Sequence, residues 1–117
     1  MPARNFSGDV VLVARSPQGA LYAMLADATG HGLAAAVSVL PALGAFYRGA
    51  SSNAPLPALV TELNSLLCGL LPRGRFVAAA VVRLEAGSCN GQIWVGGVPD
   101  VLRIGDDGRV LQRFVSR

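Results

Sequence analysis

The sequence predicts an α+β domain, antiparallel β-sheets with two packed α-helices, and three observations carry that prediction. Short valine-rich or apolar runs bounded by turn residues open the chain, two longer runs with helical character fill its middle, and about four strand-like runs close it. The 117 residues suffice for one domain with a real core and are too few for two ordinary ones, so residues 1–117 are read as a single domain. Hydrophobic residues make up 52% and charged residues 15%, which excludes a disordered chain and leaves little polar surface.

Ser7-Gly8-Asp9 leads into Val10-Val11-Leu12-Val13-Ala14, a run too short and too rich in valine for anything but a strand. Ser16-Pro17-Gln18-Gly19 has turn chemistry, and Leu21 to Ala26 resumes the strand pattern, so the two runs should form a hairpin. That hairpin would bring Asp9 and Asp27 to the same end of the sheet. Leu33 to Arg48 reads as a largely buried helix, with Pro41 inside it deleting a hydrogen bond and bending its axis. After a loop from Gly49 to Pro57, the leucines and Val60 between Leu56 and Leu70 recur at helical spacing, with Glu62 and Asn64 on other faces. Phe76 to Leu84 is apolar on both alternating faces and belongs in the middle of a sheet covered on both sides. Gln92 to Val95 and Val101 to Ile104 follow, and Gly105-Asp106-Asp107-Gly108 is a hairpin turn returning through Val110 to Val115. Asp106 and Asp107 are read there as turn formers.

The segment Asp27-Ala28-Thr29-Gly30-His31-Gly32 lies between a strand run and a helical run. Two readings stay open for it. Asp, Thr and Gly favour an Asx-type turn or helix cap at such a junction. Alternatively, Asp27 and Asp9, beside glycines that allow close backbone approach, could hold a hard cation such as Mg²⁺ or Mn²⁺. The single histidine, His31, excludes a zinc site built on several His ligands, and beside helix-start glycines it reads as a surface or capping residue. No phosphate loop, dinucleotide fingerprint or nucleophile elbow occurs.

Several function classes are set aside on composition. The net charge of +3 comes from ten Arg scattered along the chain, and the seven aromatics are equally dispersed, so no nucleic-acid surface is predicted. The longest nearly apolar run, Leu33 to Tyr47, holds Ser38, Pro41 and Gly44 and is too short for the roughly 20 residues of a membrane helix. Met1 to Asn5 has no apolar segment behind its charge and is no signal peptide. Cys68 and Cys89 lack metal-site or redox spacing and read as free buried thiols, which fits a cytoplasmic protein.

Taken together, Ser7-Gly8-Asp9, the hairpin, the D-x-[ST]-G-H-G-x-x-A-A block from Asp27, the alanine-rich run, Glu62-Leu63-Asn64 and Trp94-Val95-Gly96-Gly97-Val98-Pro99 resemble a known family. It is the metal-dependent serine/threonine phosphatases of the protein phosphatase 2C class, in the bacterial stage II sporulation protein E type often found as the output domain of response regulators. The resemblance implies part of an αββα sandwich. By resemblance, Asp27 would bridge two Mg²⁺ or Mn²⁺ ions, the Ala28 carbonyl would ligate one of them, and Asp9 would hold the site through metal or its water. The implied reaction is direct attack of water on phosphoserine or phosphothreonine, without a phosphoenzyme. His31 does not occupy the place of the family's better-known histidine acid and receives no catalytic role.

Family members continue into P-L-G and T-D-G segments that supply further ligands, whereas this sequence stops at Arg117, so the resemblance implies a C-terminally incomplete domain with little activity of its own. It also implies a receiver domain in the same parent chain, and a phosphorylated regulatory protein, such as an anti-sigma-factor antagonist, as substrate. The alternative from another class is a non-catalytic phosphatase-like module that binds a partner or a second copy of itself through an open sheet edge and an apolar face.

Overall fold

The computed structural model describes residues 9–28, 40–70, 77–98 and 100–116. Among the described residues, six strands and two helices follow one another in the order β1 (Asp9–Arg15), β2 (Leu21–Ala28), α1 (Leu40–Ser51), α2 (Leu56–Leu70), β3 (Val77–Leu84), β4 (Gly91–Gly96), β5 (Val101–Ile104) and β6 (Val110–Phe114). Strands β1 to β4 form one antiparallel sheet in that order, and β5 with β6 forms a separate two-stranded sheet. The expected α+β class is therefore the observed one. β2 and β3 are neighbours although the helix pair separates them in sequence.

The first hairpin turns where expected. The Gly19 amide donates to the Ser16 carbonyl, and the buried Ser16 hydroxyl accepts the Ala20 amide at 3.0 Å, so the turn satisfies its own polar groups. Alternation along the strands then selects a core face: Leu12 on β1, Tyr22, Met24 and Ala26 on β2, and Ala79 and Val81 on β3 are all buried in one cluster. β3 lies between β2 and β4, and Ala80 is buried on the opposite face as well, as its two-sided apolar pattern required.

The helices cover the core face, α1 against β1 and α2 against β3 and β4. α1 buries Ala42, Ala45, Phe46, Gly49 and Ala50, a stripe at helical spacing. Gly49 permits the two helices to approach closely, because a Cβ there would stand 2.7 Å from a methyl of Leu59. On α2 the predicted face is observed: Leu56, Leu59 and Leu63 are buried while Glu62 and Asn64 are exposed. The Arg48–Glu62 ion pair between the helices, 3.9 Å long and solvent-exposed on both sides, adds little to stability.

Two expectations are corrected, and a third, the bond to Val37 that Pro41 would delete, lies outside the described residues. The helical reading of 33–39 lies outside the described residues. The loop expected from Gly49 to Pro57 is shorter, because α1 runs to Ser51 and α2 starts at Leu56. A Schellman cap closes α1: the Asn53 amide donates to Ala50 at 3.1 Å, the Ala54 amide to Gly49 at 2.9 Å, and Asn53 takes a left-handed φ of 56°. Cys89, expected to be buried, is free and exposed in the turn between β3 and β4, beyond the reach of the core. The side chain of Cys68 lies outside the described residues.

The last hairpin keeps its expected turn. Gly108 donates to Gly105 at 2.9 Å, Gly105 to Arg109 at 2.9 Å, and the Asp107 carboxylate accepts the Arg109 amide at 3.0 Å. The carboxylate of Asp107 is thereby engaged in shaping the turn.

Candidate functional site

The β1–β2 ladder pairs Arg15 with Leu21 next to the turn and continues without slip to Asp9 opposite Asp27 at the far end. Register follows from the short turn and from the apolar alternation, since a one-residue slip would turn Leu12 and Tyr22 out of the core. Directly opposed residues of an antiparallel pair have Cα atoms about 4.5–5.5 Å apart. The two acidic positions are thus adjacent across the strands, a closer relation than a shared sheet end.

Asp27 and Ala28 also lie within the second ladder, opposite Ala78 and Val77 of β3. Both are therefore strand residues, Asp27 paired on both sides and Ala28 with β3, and the reading that began a turn or cap at Asp27 does not hold for these two positions. Thr29 to Gly32, including His31, lie outside the described residues. Asp27 is exposed, whereas Ala26 beside it faces the core. The ladder on both sides of β2 gives Asp27 a fixed backbone, which a residue in a free loop would lack.

The Gly-Gly step reaches the same end of the sheet. Gly96 closes β4 opposite Ala79, and Gly97 follows one position on, with a φ of +74° that only glycine adopts without strain. Its amide donates to the hydroxyl of Ser116, which ties the end of β4 to the chain beyond β6. Sequence reasoning placed a bend here and missed Ser116, whose partner lies 19 residues away and leaves no local signal. Gly97→Ala is expected to destabilise the chain by about 1–3 kcal/mol through this backbone strain. Urea unfolding checks it, and an unchanged midpoint would contradict it.

As a donor set, Asp9, Asp27 and the Ala28 carbonyl offer only hard oxygen atoms, the type that suits Mg²⁺ or Mn²⁺ rather than a thiolate- or imidazole-seeking ion. Among the described residues, no three side chains of His, Cys, Asp or Glu gather into a metal-binding group. Asn64 lines an apolar cavity of about 60 Å³ between the helices and the sheet, together with Val10, Met24, Leu63, Leu67 and Trp94. That cavity belongs to the core layer and lacks the convergent polar groups of a catalytic pocket.

Fold and register define an α+β domain with two carboxylate positions paired at one end of a helix-backed antiparallel sheet. A family model described as Stage II sporulation protein E (SpoIIE) matches residues 17–117, and the chain belongs to that family. It is a phosphatase-like domain. The match includes Asp27, Ala28 and the Gly96-Gly97 step, whereas Asp9 precedes it. No curated protein matches the chain. No helix among the described residues is long and apolar enough to cross a membrane.

Proposed function

We propose that the chain is part of a Mg²⁺- or Mn²⁺-dependent protein serine/threonine phosphatase that acts on a phosphorylated regulatory protein in cytoplasmic bacterial signalling. The single observation that carries this reading is the register of β1 on β2, which sets Asp9 opposite Asp27 in a chain of this family. Asp9, Asp27 and the Ala28 carbonyl would hold the ions. Such a pair of ions, when bound, lowers the pKa of a water and neutralises charge on the phosphoryl oxygens.

The chain's own contribution is positioning. Asp27 is held between β1 and β3 and Ala28 against β3, so the carboxylate and the carbonyl would be presented to an ion from a paired backbone. Two carboxylates supply few of the six or more oxygens such ions take, so the chain alone should bind them weakly. An anti-sigma-factor antagonist as substrate, and a receiver domain as the upstream partner, complete this reading.

Mn²⁺ titration followed by electron paramagnetic resonance, with dephosphorylation of a phosphoserine peptide in parallel, tests it. Asp27→Asn is expected to weaken Mn²⁺ binding by about 10-fold or more, as loss of a metal-site group does, and Asp9→Asn to act in the same direction. Mn²⁺ binding that survives both substitutions together would overturn the assignment. A second reading, a non-catalytic association module, is favoured by one observation: Val11, Val13 and Leu25 are exposed on one face of the sheet.

A further inference from the structure

One row of the four-stranded sheet is built from small side chains. Val10 pairs with Ala26, Ala26 with Ala79, and Ala79 with Gly96, and alternation puts these positions on the face that the helices cover. The next row on that face, Met24, Val81 and Trp94, is large by contrast. The Trp94 ring leans over Gly96, where a Cβ would collide with it. Helices resting on the larger row do not also settle on the smaller one, and a cavity of about 60 Å³ remains between them. α1 brings Ala42, another small side chain, to its wall, and α2 brings Leu63 and Leu67.

The cavity is roomy enough for water but offers it little to bond to. A buried water needs about two to four polar partners. Asn64 is the one polar residue among the described lining, and it has an interaction of its own. Among the described residues no buried side-chain nitrogen or oxygen lacks a hydrogen-bond partner, so none calls for a water there. The space is therefore dry and suits an apolar guest. Asn64 is exposed, which places the entrance on its side. An apolar cavity of about 150 Å³ takes benzene or xenon. This one, well under half that size, has room for the atom and excludes the ring.

We propose that the cavity is a binding site for one small apolar molecule, a xenon atom or a hydrocarbon of a few carbons, on the side of the sheet opposite the acid pair. Val10 follows Asp9 and Ala26 precedes Asp27, so the guest lies one peptide from both acidic positions. Binding restores contacts that the lining atoms lack on their empty side, and it stabilises the folded chain by mass action. The site requires neither a metal nor phosphatase activity, and it stands or falls separately from that reading.

Xenon is the probe that tests it. Methyl NMR of the isotope-labelled chain under increasing xenon pressure is expected to show saturable shifts at Met24, Leu63, Leu67 and Val81, and none of comparable size at exposed Val11 or Leu102. Ala79→Val grows into the void and should abolish those shifts in a chain that remains folded by circular dichroism. Leu67→Ala enlarges the void and should admit benzene, which the wild-type chain excludes. Shifts that never saturate, or that spread evenly over the exposed apolar residues, overturn the proposal. So does a folded Ala79→Val chain that takes up xenon as the wild type does. If Ala79→Val does not fold, Leu67→Ala decides: benzene shifts at Met24 and Val81 support the site, and their absence overturns it.

Discussion

Phe46→Ala is expected to lower the unfolding free energy by about 3–5 kcal/mol, the cost of removing a large aromatic ring from a packed core. Phe46 is fully buried in α1, in the cluster that joins α1 to Leu59 and Leu63 of α2 and to Leu12, Met24 and Val81 of the sheet. Its loss removes apolar burial and leaves a void that the surrounding elements fill only in part. Neighbouring Tyr47 meets the ring edge-on, with centroids 5.4 Å apart and planes at 81°, but is itself 46% exposed and cannot swing inward without abandoning that contact. For a domain whose total stability is on the order of 5–15 kcal/mol, such a loss brings the folded state near its limit.

A paired control sharpens the expectation. Leu40 is in the same helix yet 53% exposed, so Leu40→Ala should change stability by no more than about 0.5 kcal/mol. Urea unfolding of both variants measures the difference. A Phe46→Ala cost below about 1.5 kcal/mol would mean that α1 is not fastened to the sheet through this ring.

How far the fold was legible before the structure depended on the range of the interaction. The hairpin of β1 and β2, the two-sided pattern of β3 and the leucine face of α2 are local signals of period 2 or 3.6, and each corresponds to an observed element. The turn at Gly105 to Gly108 was legible for the same reason. Asp9 and Asp27 were expected at one sheet end, and a register counted back from the turn now sets them opposite each other. What periodicity could not supply was the exact end of each element. β2 continues through Asp27 and Ala28 because β3 pairs with it there, a partner more than 40 residues away that no local propensity announces. The closure of α1 depended on Asn53 adopting a left-handed conformation, which a loop rich in small residues and proline did not single out. Cys89 looked apolar enough to bury, yet the core ends before the β3–β4 turn begins. An open apolar face was expected, but not its place: Val11 and Val13 alternate with core residues, and only the position of the helices shows which alternate set is exposed.

The least legible feature is a polar lock on that core, and its removal has the second large expected effect. Tyr22, fully buried on β2, donates its hydroxyl to the Ala54 carbonyl, 32 residues on, at 2.5 Å. Arg83, opposite Tyr22 on β3, donates through Nε to the same hydroxyl at 2.9 Å and through a terminal nitrogen to the Asn53 side-chain oxygen at 3.0 Å. Its other terminal nitrogen pairs with Glu85. The guanidinium carbon is 5.5 Å from the Tyr22 ring centroid, but Nε points at the hydroxyl, so the hydrogen bond rather than attraction to the ring face governs the contact. One arginine thus joins two strands to the cap of α1, the only left-handed non-glycine among the described residues.

Arg83→Met keeps most of the stem's apolar packing and deletes every one of these bonds. The expected cost is about 1.5–3 kcal/mol, the range for hydrogen bonds to a charged group, since Glu85 is 45% exposed and recovers hydration when its partner goes. Tyr22→Phe should cost about 1–3 kcal/mol, because it leaves the part-buried Ala54 carbonyl without its donor. The two losses should not add, as each breaks the same bridge. Hydrogen exchange distinguishes this lock from general destabilisation: the amides of Asn53 and Ala54, which close α1, should lose protection in Arg83→Met well before those of β2 and β3 do. Uniform loss of protection across the sheet and the cap would show that Arg83 stabilises the whole domain without specifically holding the helix pair.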